Sequence, residues 1–170
     1  MIPVKARDAA YQIRPVTQAD LDAVLAVYRQ CEDFLALGPV ATASMAMVQQ
    51  DLELSREAGG LFCGIFAADG TMAGIVDYVP HDYLGDPHTA FLELLMIAGP
   101  YRNRGIGQAV VSAVEEEVRK DPEVTILCSG VQVNNPQAVR FWQRNGYRIV
   151  SEPKLHPDQT TAVDLRKELR

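Results

Sequence analysis

Long apolar runs, a dense set of cysteines and an excess of positive charge are all missing from this chain. No uninterrupted apolar stretch approaches the ~18 residues that cross a bilayer. The opening MIPVKARDAAYQI lacks the apolar segment of a secretion signal. A cytoplasmic protein that does not enter membranes is expected. Only three cysteines occur, Cys31, Cys63 and Cys128, far apart, with no CxxC pair and no histidine at ligand spacing. Neither a disulfide framework nor a metal site is expected, and Cys63 and Cys128 read as buried thiols within apolar runs. The formal net charge of -6 argues against a nucleic-acid-binding face and is compatible with a cationic ligand. Repeats and low-complexity linkers are absent too, so the 170 residues are expected to form one domain spanning 1–170.

What is present is a change of hydrophobic period along the chain. YQIRPVT at 11–17 alternates like a strand. Thr17 and Asp20 then introduce a helix with an apolar stripe at Leu21, Val24, Leu25 and Tyr28. A second helix is expected in TASMAMVQQDLELSREA, ending at Gly59 and Gly60. Two strand-like runs flank ADG at 68–70, a hairpin signal. TAFLELLMIA is a further strand, followed by a helix to about Lys120 and the strand EVTILCSGVQV. NNPQAVRFWQRNG begins with an asparagine cap, carries Pro136 in its first turn and stops at Gly146, a short helix. YRIVSE and TTAVDLRKEL are the last strands. Strands and helices mixed in this order imply an α/β or α+β domain with a mixed sheet.

GPYRNRGIGQAVV, residues 99–111, is the unusual stretch. A strong helical pattern opens near Arg104 with Gly105 and Gly107, each costing about 1 kcal/mol in a helix interior relative to alanine. The run holds two arginines and no acid. A helix N-terminus offers unpaired N–H groups and a partial positive charge, which together bind anions. Removing two side chains lets a pyrophosphate reach that backbone. Close packing of the helix on the sheet would also explain the glycines. The pattern is neither a Walker loop nor GxGxxG.

YRNRGIGQAVV, with Arg102-x-x-Gly105-x-Gly107, resembles the acyl-CoA pyrophosphate loop of the GCN5-related N-acetyltransferase (GNAT) superfamily. LELLMIAGP resembles that family's fourth strand, and NNPQAVRFWQRNGYRIV its fourth helix and sixth strand. The element order agrees over nearly the whole chain. The resemblance implies the GNAT fold: a mixed, mostly antiparallel seven-stranded sheet with about four helices, splayed between strands four and five. It implies acetyl-CoA as cosubstrate, no metal, and an N-acetyltransferase that acetylates a primary amine of a small molecule by direct attack. A protein or peptide N-terminus is an alternative acceptor, a non-catalytic acyl-CoA-binding or sensing domain an alternative function, and a homodimer is compatible with the family.

By the same resemblance, backbone groups of Leu95, Met96 and Ile97 hold the pantetheine. The N–H groups of Arg102, Asn103, Arg104, Gly105, Ile106, Gly107 and Gln108 hold the pyrophosphate. Asn135 matches an asparagine on the pantetheine side, and is equally a helix cap. A protonated amine must lose a proton before it attacks, so a general base helps. Glu93, an acid inside an apolar strand and expected to be buried there, stands where the family's polyamine branch carries its base; a structural carboxylate bonded to backbone or arginine is the other reading. The family's tyrosine acid on the fourth helix is replaced here by Trp142, whose indole cannot titrate. Phe34, Tyr78, His81, Asp82, Tyr83 and His88 are candidates for the acceptor side. Glu32 and Asp33 stand either near a cationic amine or at a solvated helix end.

Overall fold

The chain begins with a hairpin of β1 (Ile2–Ala6) and β2 (Ala9–Pro15), then a single 3-10 turn, Gln18–Asp20. These and all later elements come from a computed structural model that describes residues 1–7 and 9–170. The Thr17–Asp20 capping box forms as expected, on the 3-10 turn that leads into the helix. Three helices follow: α1 (Leu21–Gln30), the four-residue α2 (Glu32–Leu35) and α3 (Met45–Glu57). Then come β3 (Leu61–Ala67), β4 (Met72–Val79), β5 (Thr89–Ile97), α4 (Ile106–Val118), β6 (Ile126–Gln132), α5 (Pro136–Arg144), β7 (Arg148–Ile149), β8 (Lys154–Leu155) and β9 (Thr161–Glu168).

The strands form one sheet in the order β1-β2-β3-β4-β5-β6-β9-β7, with β8 also on β9. Every pairing is antiparallel except β5 with β6. The fold class read from the sequence stands. Among the described residues the sheet has nine strands where the resemblance implies seven, because β1 and β8 are additional. Both escape a pattern search for physical reasons: β1 is broken by charge and proline, and β8 has only two residues.

Two cores lie on opposite faces. On one, α4 and α5 pack their Ile106, Val110, Val114 and Trp142 against Ile13, Leu92, Leu127 and Leu165. On the other, α1 and α3 bring Val24, Tyr28 and Val48 to Phe62, Ile75 and Met96. Burying a side chain of this size contributes roughly 1.5–3 kcal/mol, so these two cores fix where the sheet's loops point.

Two irregularities shape the middle of the sheet. The parallel ladder of β5 with β6 runs only from Thr89↔Ile126 to Leu92↔Ser129. Beyond Leu92 the strands separate, and the Ser129 hydroxyl closes the end of the ladder on the Leu92 carbonyl at 2.8 Å. These are the fourth and fifth strands of the sequence pattern, so the expected splay is present. One residue further along, β5 bulges: Asp77 opposes Leu94 and Tyr78 opposes Leu92, which leaves Glu93 without a partner on β4. Bulges of this kind re-aim a side chain and end pairing.

Candidate active site

The glycine-bearing loop leaves the end of β5 through a 3-10 turn, Gly99–Tyr101. Gly105 is not in the helix interior. It is the N-cap of α4, left-handed at φ 77, where a side chain would be strained. Asn103 is left-handed as well, at φ 61. Left-handed residues in such a run make a backbone concavity that holds anions. Among the described residues, the N–H groups of Asn103, Arg104, Gly105, Ile106, Gly107 and Gln108 donate to no protein acceptor, and the first helical bond across the cap is Ala109 N–H to Gly105 C=O at 3.1 Å. Six consecutive unsatisfied donors at a helix N-terminus form a ready anion site.

Gly107 is explained by packing. A Cβ there would stand 3.3 Å from the ring of Phe141 on α5 and 4.0 Å from Ile97. Its glycine lets α4 and α5 approach, whereas that of Gly105 provides the turn.

Arg102 departs from expectation. Its backbone N–H is already used, donating to Gly99 C=O at 3.2 Å. Its guanidinium donates to both oxygens of Asp33, at 2.6 and 3.0 Å, to the Gln30 carbonyl at 3.2 Å and to the Ile97 carbonyl at 2.9 Å. Arg102 therefore fastens the loop to the α1–α2 corner instead of facing an anion. The Arg102 hydrogen bond also holds the Asp33 carboxyl below its usual range. The cations beside the six N–H groups are Arg104, whose guanidinium lies 5.7 Å from the Tyr101 ring centre, and Arg7. Arg7 Nε is 3.5 Å from where a Cβ on Gly105 would be. Arg7 comes from the tip of the β1–β2 hairpin, an element the sequence pattern does not disclose. An open groove of about 1300 Å³, lined by Arg7, Gln12, Gln108 and Ser112, runs between that hairpin and α4; it contains none of the acceptor-side groups.

Leu95 and Met96 continue β5 past the splay, paired with β4 alone among the strands. Ile97 does the same, but its carbonyl is taken by Arg102. Asn135 is a true N-cap of α5: its side chain accepts from Ala138 N–H at 3.1 Å.

Glu93 is not buried, contrary to expectation. It is solvent-exposed at the bulge, on the face of β5 opposite Leu92. Leu92 packs in the α4/α5-side core and Leu94 in the α1/α3-side core, although residues two apart normally share a face. The extra residue accounts for the switch, and Glu93 with Leu94 opposes Asp77 on the α1/α3 side. No described group hydrogen-bonds or ion-pairs with Glu93, so a structural role bonded to backbone or arginine is not what the geometry shows. Its carboxyl is raised above the usual range, chiefly by the protein mass that desolvates it and then by the charges of Asp77 and Asp51. Asp77 is 4% exposed and accepts the Ser55 hydroxyl at 2.7 Å. Asp51 accepts the Tyr28 hydroxyl at 2.6 Å. Burial raises both carboxyls. Neither aspartate stands out in the sequence, because each lies in an element whose pattern reads as ordinary helix or strand.

The other acceptor-side candidates divide. Tyr83 stacks flat on Phe91, with ring centres 4.1 Å apart, and Glu93 contributes to raising its phenol after burial. Phe34 packs against the α1/α3-side core. Tyr78, by contrast, is 2% exposed in the opposite core; as the residue after the bulge position it points away from Asp77, and it is corrected to a core residue. His81 and Asp82 pair with each other at the surface, 2.7 Å apart, and His88 is spent on the Glu123 carbonyl at 2.9 Å. Glu32 accepts from Ala43 N–H at 2.9 Å and Asp33 is held by Arg102, so both are local fasteners. Trp142 is 6% exposed, edge-to-face with Tyr147 at 4.8 Å; its indole is a core group. Cys63 is buried as expected, Cys31 is buried too, and Cys128 is only partly so. Among the described residues no group of three or more potential metal ligands gathers, and no helix is long and apolar enough to cross a membrane.

Comparison with known proteins bears on the family and the fold. The sequence profile of the Acetyltransferase (GNAT) family matches residues 21–147. An uncharacterized protein of Bacillus subtilis (strain 168), YyaT, is 37% identical over 82 residues, 48% of this chain; the match spans about half of that relative, 52% of its length. The crystal structure of an acetyltransferase from Thermus thermophilus superposes with a TM-score of 0.76 at 22% identity, covering 93% of this chain and 96% of the other. A spermidine N-acetyltransferase from Vibrio cholerae, in complex with CoA and spermine, superposes with a TM-score of 0.71 at 12% identity, covering 94% and 95%.

Proposed function

Because the chain belongs to the acetyltransferase (GNAT) family, we propose that it transfers an acetyl group from acetyl-CoA to a primary amine of a small molecule. The observation that carries this reading is the run of six unsatisfied N–H groups from Asn103 to Gln108, at the end of the same strand that displays Glu93. The run is built to receive a pyrophosphate, with Arg104 and Arg7 as the neighbouring cations. Beyond Leu92 the separated edge of β5, at Leu95 and Met96, is free to pair with an extended amide chain such as pantetheine, in the manner of an added strand.

The acceptor enters from the α1/α3 side. A typical alkylamine is mostly protonated at neutral pH, and Glu93, raised above ordinary carboxylates, takes that proton directly or through water. The amine nitrogen then attacks the thioester carbonyl, forming the C–N bond. The tetrahedral intermediate collapses with cleavage of the C–S bond: the sulfur leaves with the bonding electrons, and the second proton that the nitrogen sheds in becoming an amide passes to the departed thiolate or to water. A thiol of pKa near 8.5 departs tolerably as thiolate, so no acid is needed where Trp142 stands. A small cationic amine suits the carboxylate-bearing side of the cleft, and the relative crystallised with spermine supports that class of acceptor.

One observation favours a second reading, a non-catalytic acyl-CoA-binding domain: the family's tyrosine position is a buried indole. A thiol-release assay with acetyl-CoA against alkylamines, polyamines and amino sugars separates the two. Release dependent on at least one amine is expected. Coenzyme binding without release on any amine would select the second reading. Coenzyme A should also raise the melting temperature, and Gly105→Glu should abolish that rise while leaving the apo protein folded. A full rise in the variant would overturn the pyrophosphate assignment.

A further inference from the structure

Asp51 and Asp77 are buried or half-buried carboxylates to which the chemistry above gives no task. Taking a carboxylate out of water is costly unless it is paired. Here each has one neutral hydroxyl donor, Tyr28 for Asp51 and Ser55 for Asp77, and among the described residues no lysine, arginine or histidine pairs with either. The arrangement is built in, not incidental. Gly60 leaves the space the Ser55–Asp77 pair needs: a Cβ there would fall 2.6 Å from the Ser55 hydroxyl and 3.2 Å from an Asp77 carboxylate oxygen. Asp77 itself stands on β4 opposite the bulge at which Glu93 is the unpaired residue.

We propose that Asp77, with Asp51 behind it, is a positioning residue for Glu93: its cation-free carboxylate, held across the β4–β5 bulge, governs when the base carries its proton. The inference rests on Glu93 as the base. The titratable groups around Glu93 are Asp77 from β4, Asp51 from α3 with the Tyr28 hydroxyl of α1 bonded to it, and Tyr83 from the β4–β5 loop. Desolvation and both aspartates act on Glu93 in the same direction, and no cation opposes them. A base is most effective when its proton affinity lies near the working pH. An isolated exposed glutamate falls well short of that, and a neighbouring negative charge moves it the right way.

The test is a carboxyl-carbon NMR titration of the full chain labelled at glutamate, with the Glu93 signal identified by its loss in Glu93→Gln. In Asp77→Asn, which preserves the acceptor for Ser55, the Glu93 midpoint is expected to fall to lower pH. Asp51→Asn should move it the same way by less, and the acid limb of kcat should follow both variants. An unmoved Glu93 midpoint in folded Asp77→Asn overturns the proposal; should that variant fail to fold, an unmoved midpoint in Asp51→Asn does so. If Glu93→Gln turned over at the parent rate while the midpoint still shifted, the base assignment would fall and the electrostatic coupling would stand.

Discussion

Two acidic sites sit under opposite faces of the sheet, and they are handled in opposite ways. Under α4, Glu115 is 4% exposed and surrounded by partners. Lys167 donates to both its oxygens at 2.7 and 2.8 Å, Arg119 lies 3.5 Å away and the Tyr147 hydroxyl donates at 3.2 Å. Under α3, Asp77 is equally buried and receives one neutral hydroxyl. The first site neutralises its charge, as a group does when it serves the fold. The second leaves its carboxyl without a cation beside an exposed glutamate, and burial raises it; buried, cation-free carboxyls of this kind cluster at functional sites.

The comparison is sharpened most by Glu93→Gln. Losing a general base typically costs ~10²–10⁴ in rate. That loss should appear in kcat with the melting temperature and coenzyme affinity unchanged; normal turnover would make the α1/α3 side as structural as the other. Glu115→Gln should do the reverse. Removing one partner of a buried ion pair costs ~3–5 kcal/mol, and the lower end applies because the Lys167 side chain keeps 24% of its exposure. Chemical denaturation should report about 3 kcal/mol, while kcat per folded molecule stays near the parent value. The smallest effect belongs to Trp142→Phe, which keeps an aromatic plate and removes the indole N–H. Its rate should survive within about tenfold, a barrier change of ~1.4 kcal/mol. A loss above about a hundredfold in a folded variant, ~2.7 kcal/mol, would show that the α4/α5 side takes part in the chemistry after all.

The α4/α5 side is the more legible in the sequence, for a physical reason. The anion site proposed there is made of backbone, so Gly105, Gly107 and the helical stripe behind them announce it within a few residues. The Asn135 cap is likewise local. The other side depends on contacts between distant segments. Asp51 and Asp77 meet Glu93 only because α3 lies across β4 and because β5 bulges by one residue, and neither event leaves a mark at those positions. Tyr78 is misplaced for the same cause: strand alternation gives two faces, but not which of them is the cleft. The β1–β2 hairpin and with it Arg7 stay hidden because proline and charge interrupt β1. Arg102 is visible as a cation without its partner, since Asp33 is 69 residues away.

That last pairing has a thermodynamic consequence. A helix as short as α2 cannot sustain itself, so its order is supplied by tertiary contacts. One of these is the bidentate hold of Arg102, from the loop between β5 and α4. Under the proposed assignment, part of the acceptor-side wall is thus hung from the loop that receives the coenzyme. Should coenzyme binding tighten or loosen that hold, the acceptor's affinity changes by some factor, and occupancy by the acceptor must change the coenzyme's affinity by the same factor. Two ligands that need never touch Arg102 would then share a single coupling energy through it.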